Sequence, residues 1–343
     1  MKKRIFAMAA LVASLLASCN KETEMINPAP EARPDGASVT ITLSSGDDTQ
    51  TRAFFDATAT AEAWEKTLSS LSVFTFNTSG DLILRRDFTA SELASKSASF
   101  SLPKSAAGTE CSFYAVANYD ASSAKTKSAL TALVEKSAGD YNGTFADVST
   151  KALRSGGFVM SGSTTKTVGA VNTSTQVGIS LKRTVAKVAL QTSIDPEFSE
   201  KYPGSITITS VKLSRAASQS LVVAGTPSTG TMTYTHTQTP GTASSKYNSL
   251  FYVYETGTLD AGSRVLLEIN ATYDSDGSSS TSDDRSDVTY SVELTGKAAG
   301  QILRNGYYRV AANITGLVGQ DCQVSVTVAD WETPVTQSVD LGA

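Results

Sequence analysis

Residues able to do catalytic chemistry are few and scattered in this chain of 343 residues. Its one histidine, His236, lies in the polar run Thr-Tyr-Thr-His-Thr-Gln-Thr. A single histidine cannot build a multi-histidine zinc site, and no G-x-S-x-G turn accompanies it. We therefore predict a surface histidine, and a protein that is not an enzyme and uses no metal or cofactor.

Acidic residues crowd one segment between two predicted strands: Asp274, Asp276, Asp283, Asp284 and Asp287. Carboxylate oxygens are calcium ligands, but the ordered spacing of a calcium-binding loop is absent. A solvated hairpin loop is the favoured interpretation, with a calcium site as the alternative.

Cys19 is placed for acylation rather than for catalysis. A positively charged start and the apolar run 5–16 are typical of a secretory signal. The run ends Leu16-Ala17-Ser18-Cys19, which resembles the lipobox of bacterial lipoproteins. We expect residues 1–18 to be removed and Cys19 to hold the precursor on the outer membrane through lipid. Cys111 and Cys322 fall in different predicted domains, so two packed thiols are favoured over a disulfide.

Arg52 is a candidate for proteolytic processing. Residues 19–52 are predicted to form a proline-containing tether that carries the short alternating strand Val39, Ile41 and Leu43. A polar loop then ends in Arg52, directly before Ala53, and such a loop suits an arginine-specific protease. The alternative is a plain solvated arginine.

Composition predicts an all-β secreted protein that binds no nucleic acid, because the net charge is −4 and no basic stripe is present. Domains are predicted over residues 53–183 and 184–343. Strands are expected in the first domain at residues 71–76, 82–84, 99–102, 111–117 and 158–160, and short helices near residues 61–71 and 129–134. In the second domain they are expected at residues 206–213, 221–224, 250–254, 265–273, 288–294 and 307–314. The apolar stretch 177–190 connects the two domains.

Two adhesive strands close the chain. Val324, Val326 and Val328 share one face of the first, Trp331 follows, and Val335, Val339 and Leu341 share a face after a break at Pro334. They either complete the sheet of their own domain or leave to complete a neighbouring subunit by strand addition.

Several segments together resemble the fimbrillins, the subunits of type V pili. They are the lipobox, the Arg52 loop, residues 180–188, residues 303–308 and the tail 324–331. The resemblance implies two transthyretin-like β-sandwich domains and export as a lipoprotein. It also implies that a surface arginine-specific protease removes the first strand, and that the terminal strands of another pilin subunit fill the groove. One departure is that the alternation shifts between Val328 and Trp331, so a bulge or turn must intervene.

Two other functions are open to the sequence. A monomeric, surface-anchored adhesin or carbohydrate-binding lipoprotein would keep its lipid and its first strand. An outer-surface hydrolase would need converging acids in a deep pocket, for which the sequence gives no sign. The favoured interpretation is a structural pilin whose mature form lies in extracellular fimbriae at the cell surface.

Overall fold

The computed structural model describes residues 36–44, 55, 61–227, 233–278, 280–295, 300–317, 322–330 and 337–341, the last two ranges by their backbone alone. Cys19, Arg52, Ala53, Trp331 and Val335 lie outside these residues. Their roles therefore stay predictions.

Strands dominate the described chain. Those before Thr184 are β1 (Ala37–Ser44), β2 (Leu71–Phe76), β3 (Leu82–Asp87), β4 (Ser97–Leu102), β5 (Glu110–Ala117), β6 (Val134–Glu135), β7 (Met160–Thr167), β8 (Ser174–Ser180) and β9 (Lys182–Arg183). Those after it are β10 (Val185–Ile194), β11 (Ser205–Ala216), β12 (Ser220–Leu221), β13 (Tyr234–Gln238), β14 (Gly241–Ala243), β15 (Lys246–Tyr254), β16 (Leu266–Asp274), β17 (Arg285–Glu293), β18 (Gly306–Ile314), β19 (Cys322–Asp330) and β20 (Gln337–Leu341).

Helices are short. They are α1 (Ala90–Ser95), α2 (Lys127–Thr131), α3 (Phe145–Val148) and α4 (Phe198–Lys201), with 3₁₀ turns at Ala63–Lys66, Lys104–Ala106 and Ala138–Tyr141. None of the described helices has the length and apolar character needed to span a bilayer.

The sheets pack face to face, so the fold is an all-β arrangement of sandwiches. In the first part, the sheet β4-β1-β8 and the sheet β3-β2-β5-β7-β9 enclose one apolar core. In the second part, the sheet β14-β15-β10-β18-β19-β20 and the sheet β13-β11-β16-β17 enclose another. A two-stranded sheet, β12-β6, is not hydrogen-bonded to these four, and Leu133 and Val222 beside it pack with Phe74 of β2 in a third apolar cluster.

Strand β10 is buried on both faces. Val185 and Ala189 belong to the first core, whereas Ala186, Val188 and Leu190 belong to the second. A strand covered on both sides needs apolar residues in succession rather than in alternation. This explains the continuous apolar character of residues 185–190.

Most strands predicted from the sequence are confirmed. The segments 71–76, 111–117, 265–273, 288–294 and 307–314 are found as β2, β5, β16, β17 and β18, with ends shifted by three residues at most.

Several local predictions are wrong. Of the strand expected at residues 158–160 only Met160 belongs to a strand, β7, and the helix expected near residues 61–71 is reduced to the 3₁₀ turn Ala63–Lys66. The segment 221–224 was expected to be a strand of the second sandwich, but β12 pairs only through Ser220 and Leu221, with Glu135 and Val134 of β6. The helix expected through residue 134 ends at Thr131, because Val134 enters that pairing. A helical turn this short has little stability of its own, so tertiary pairing decides its end.

Candidate functional site: the β1 slot and the terminal strands

Strand β1 occupies the middle of a three-stranded sheet, in a position that we call the β1 slot. It runs antiparallel to β4 and parallel to β8, so that Val39 lies opposite Phe100 on one side and Thr175 on the other. Ile41 lies opposite Ala98 and Val177. Any strand that replaced β1 would therefore inherit two rows of backbone hydrogen-bond partners.

Only one face of β1 is buried. Ala37, Val39 and Ile41 are fully buried and Leu43 is 5% exposed, while the residues between them are half-buried or exposed. The buried residues belong to the first core. Burial of the three larger side chains, Val39, Ile41 and Leu43, stabilises the folded chain by about 2 kcal/mol each, or roughly 6 kcal/mol in total. The slot is thus a deep apolar site whose occupant must alternate apolar and polar residues.

Backbone hydrogen bonds hold the C-terminal end of β1. The Leu43 amide donates to the Lys96 carbonyl, and the Ser44 carbonyl accepts from the Leu181 amide at 3.0 Å. These are backbone contacts that do not depend on side-chain identity. The requirement that a strand in this slot places on its side chains is therefore mainly an apolar buried face.

Phe55 is the first described residue after the predicted cleavage residue Arg52. Phe55 packs against the first core, and the Arg309 guanidinium lies over its ring with its central carbon 4.7 Å from the ring centroid. A cation over an aromatic face is stabilised by the ring quadrupole. This anchor lies three residues after Arg52, on the side that would remain after cleavage.

The terminal strands lie at one end of the six-stranded sheet of the same chain. β19 runs antiparallel to β18 with Val324, Val326 and Val328 opposite Ala312, Val310 and Tyr308, residues of the second core. β20 follows at the sheet edge, with Val339 opposite Val326 and Leu341 opposite Val324. The backbone thus puts the five predicted donor residues that are described into register on neighbouring strands.

Buried charges join the two parts of the molecule in a cluster that we call the polar joint: Glu65, Arg183, Lys187, Tyr252 and Asn305. Glu65 accepts from the Lys187 ammonium at 2.7 Å and from the Tyr252 hydroxyl at 2.9 Å. Arg183 donates to the Glu65 carbonyl at 2.8 Å and to the Asn305 side chain at 2.9 Å. Burial beside this carboxylate raises the pKa of Tyr252, so its hydroxyl stays a donor.

A second buried acid lies close by. Glu135 accepts from the Tyr141 hydroxyl at 2.6 Å, from the Thr184 hydroxyl at 2.9 Å, and pairs with Arg154 at 3.0 Å. Desolvation raises the pKa of Glu135. Arg304 and Glu255 form a further ion pair between largely buried side chains, at 2.6 Å.

Sequence reasoning missed these acids. It singled out residues 180–188 and 303–308 as family segments, and the structure brings Arg183 of the first against Asn305 of the second. Glu65, which accepts from Arg183 and Lys187, lies in a short 3₁₀ turn whose sequence resembles that of an exposed helix start. The one signal was Lys187 within an apolar run, because a buried charge requires a partner.

The acidic residues that the sequence offered as an alternative calcium site lie at the hairpin between β16 and β17. Asp274, Asp276 and Asp284 have carboxylate oxygens within 4.8 Å of one another, yet Arg285 already pairs with Asp274 at 3.1 Å. Hydrogen bonds from Asp276 and Ser275 lower the pKa of Asp284. They form a self-bonded hairpin loop.

The other candidates are the imidazole of His236 and the thiols of Cys111 and Cys322. His236 is half-buried, with its Nε2 3.3 Å from the Gly143 carbonyl oxygen. Cys111 is buried and free, as expected, and desolvation raises its pKa. The side chain of Cys322 lies outside the described residues.

Comparison with known proteins decides the family. The family model described as the major fimbrial subunit protein (FimA) matches residues 37–295, more than half of the chain. The chain belongs to this family. The FimA match begins at the first residue of β1 and ends before β18, so it includes the β1 slot but not the terminal strands.

Solved structures confirm the fold. A candidate cell adhesion protein from Bacteroides eggerthii DSM 20697 is 18% identical, with a TM-score of 0.59 over 90% of this chain and 99% of that one. One from Parabacteroides distasonis ATCC 8503 is 14% identical, with a TM-score of 0.59 over 89% and 99%. The tip fimbrial protein Mfa3 from Porphyromonas gingivalis, with C-terminal truncation, is 13% identical, with a TM-score of 0.52 over 86% and 100%. No curated protein matches the chain.

The family defines the broad role. FimA-type chains are fimbrial subunits, so this chain is a pilin-like protein of the cell surface and not a member of an enzyme class.

Proposed function

We propose that this chain is a structural pilin that polymerises by donor-strand exchange: β1 is cut away and a terminal strand of another subunit enters the β1 slot. The observation that carries the proposal is the form of β1. It is a central strand, apolar on one face only, and it contains no charged residue. A different alternating strand can take its place without leaving a charge unpaired.

The terminal strands supply such an occupant. Val324, Val326 and Val328 repeat the two-residue spacing of Val39, Ile41 and Leu43, and Val339 and Leu341 repeat it on β20. Among the described strands, β20 pairs with β19 only, at the sheet edge. An inserted strand would restore the backbone hydrogen bonds that the departing β1 gave up and would cover the apolar groove again, and both contributions stabilise the joint between subunits.

Lipidation and proteolytic cleavage would determine when β1 leaves its slot. Lipidation at Cys19 would bring the precursor to the outer membrane with β1 in place, which keeps an apolar groove covered during export. Cleavage after Arg52 would detach the lipid and β1 together, while Phe55 keeps the new N-terminus attached to the folded subunit.

A substitution at Arg52 tests the cleavage. We expect Arg52→Ala and Arg52→Lys to give full-length lipidated protein at the surface without filaments, as judged by N-terminal sequencing and electron microscopy. Arg33→Ala is the matched control, since Pro34 follows Arg33 and blocks most arginine-specific proteases. Normal filaments from Arg52→Ala would contradict the mechanism.

Truncation tests the donor. A chain that ends before Val324 should be cleaved normally and bind a donor, but should itself donate no strand. It would therefore terminate filaments when mixed with the intact subunit. If the truncated chain alone forms filaments of normal length, strand donation by the tail is wrong.

A further inference from the structure

A cleft whose lining residues differ from those that pair with β1 has the features of a small-molecule site. It holds about 460 Å³ and lies between the start of β2, the end of β3 and the loop before β7. This volume is within the range of about 300–1,000 Å³ that is typical of ligand sites. Its wall includes Ser70, Arg85, Asp87, Tyr119, Asp120 and Arg154.

One buried asparagine fixes the shape of the cleft. The Asn118 side chain accepts from the Ser69 amide at 2.8 Å and donates to the carbonyls of Thr67 and Phe158 at 2.8 and 2.7 Å. Three separate chain segments are thus held by a single amide group. The cleft is formed in advance, which reduces the ordering that a ligand would have to impose.

The backbone of this wall turns through three residues with positive φ, of which Asn118 alone is not a glycine. Asn118 has φ 59°, and Gly156 and Gly157 have φ 81° and 89°. A β-carbon at Gly157 would approach the Asn118 side-chain nitrogen to 3.2 Å. A left-handed non-glycine residue persists only where its surroundings enforce it, and such positions cluster at ligand sites.

Hydrogen-bond donors in the cleft remain available. Arg85 uses Nε and one amino group on Asp87, at 3.0 and 2.8 Å, and Arg154 uses Nε on Glu135 and one amino group on backbone carbonyls. Among the residues that the structure describes, the second amino group of each arginine has no partner. Their side chains are only 13% and 16% exposed, so these donors face limited solvent.

Acceptors and an apolar surface complete the lining. Asp87 is 36% exposed, and hydrogen bonds from Ser122 lower the pKa of Asp120, which therefore stays ionised. Phe88 and the half-buried ring of Tyr119 supply the apolar surface. Each arginine already has a carboxylate partner, and Asp120 adds another negative charge. An anionic ligand would therefore gain little, whereas hydroxyl groups can accept from the arginines and donate to the carboxylates.

We propose that this cleft binds a neutral saccharide, with its hydroxyls between Arg85, Asp87, Asp120 and Arg154 and an apolar sugar face against Tyr119. The proposal concerns a ligand, and it holds whether or not β1 is exchanged. A single-sugar site of this depth binds weakly, with a dissociation constant on the order of 1 mM.

Saturation-transfer NMR on the intact chain tests the proposal, with the methyl glycosides of glucose, mannose, galactose and N-acetylglucosamine as neutral probes and N-acetylneuraminic acid as the anionic probe. At least one neutral glycoside should receive saturation. Ser155→Trp, at the exposed rim, should abolish the signal by filling the cleft, while Ser263→Trp, on an exposed turn elsewhere, should leave it unchanged.

A second variant covers the case in which Ser155→Trp does not fold. Asp120→Ala removes one exposed carboxylate and should weaken the binding of the neutral glycoside at least tenfold. The proposal is overturned if no neutral glycoside binds the intact chain, if only the anionic probe binds, or if a folded Ser155→Trp or Asp120→Ala variant binds as the natural chain does.

Discussion

Strands β1 and β10 occupy equivalent places in two sheets but are held in different ways. Each is central, with an antiparallel neighbour on one side (β4 or β15) and a parallel neighbour on the other (β8 or β18). β1 is buried on one face and has no charged residue. β10 is buried on both faces and carries Lys187 of the polar joint.

This difference is what the proposed exchange requires of a strand that leaves and a strand that stays. Removing β10 would open two cores and leave Glu65 without its ammonium partner, whereas removing β1 opens one groove lined by apolar groups. The edges also differ, because β18 continues into β19 and β20 while β8 has no further strand beside it among the described residues. In the proposed exchange, the second sheet would give a strand from this edge and the first sheet would receive one.

The largest expected effect is at the polar joint. Lys187→Ala leaves the Glu65 carboxylate, which is 0% exposed, without its ammonium partner, and breaking a buried pair in this way costs about 3–5 kcal/mol. Urea unfolding measures the change. Lys212→Ala is the matched control on β11, because its pair with Glu268 is 41% exposed on the lysine side and pairs of this kind contribute less than about 1 kcal/mol. Equal changes in the free energy of unfolding for Lys187→Ala and Lys212→Ala would contradict the view that a buried ion pair holds β10 in place.

The next largest effect is expected from a cavity-forming substitution in each of the two strands. Ile41→Ala in β1 and Leu190→Ala in β10 each remove a fully buried side chain and should destabilise the uncleaved chain by about 2–5 kcal/mol. In assembled filaments, Ile41→Ala should leave the thermal midpoint unchanged because β1 has left, while Leu190→Ala should still lower it. A filament that is sensitive to Ile41→Ala would show that β1 is retained.

The smallest effect is at alkaline pH and belongs to the β10 sheet. Burial raises the pKa of Tyr308 on β18 from 10.0 to about 12. The unfolded chain loses this proton first, so stability falls as pH rises from about 10 and levels off above about 12, by at most about 1.4 kcal/mol per pH unit. Tyr308→Phe should make the decline in unfolding free energy with pH less steep in urea unfolding above about pH 10, while the contribution of other buried tyrosines such as Tyr252 and Tyr254, whose pKa values burial also raises, remains. An unchanged slope would contradict the buried protonated phenol.

Local pattern was sufficient for the strands that matter most. The two-residue alternation of Val39, Ile41 and Leu43 predicted a strand with one buried face, and β1 has that form because the burial pattern of a strand follows its pleat. The same rule predicted strands at the C-terminus, where β19 and β20 are found. Strands covered on one side can therefore be read from spacing alone.

Longer-range partners could not be predicted in this way. Whether Glu65 is a surface residue or half of a buried pair depends on Lys187, which is 122 residues away. The pairing of β6 with β12 and the cleft shaped by Asn118 likewise join segments whose separate sequences do not specify each other.

The sequence by itself determined the all-β class, the one-faced first strand and the alternating tail, because these follow from the geometry of single strands. Only the tertiary structure decided that β1 is central while β20 is at an edge, and that a buried acid fixes β10 in place. The physical reason is that burial of a charge and the position of a strand within a sheet are properties of neighbours, which the fold alone brings together.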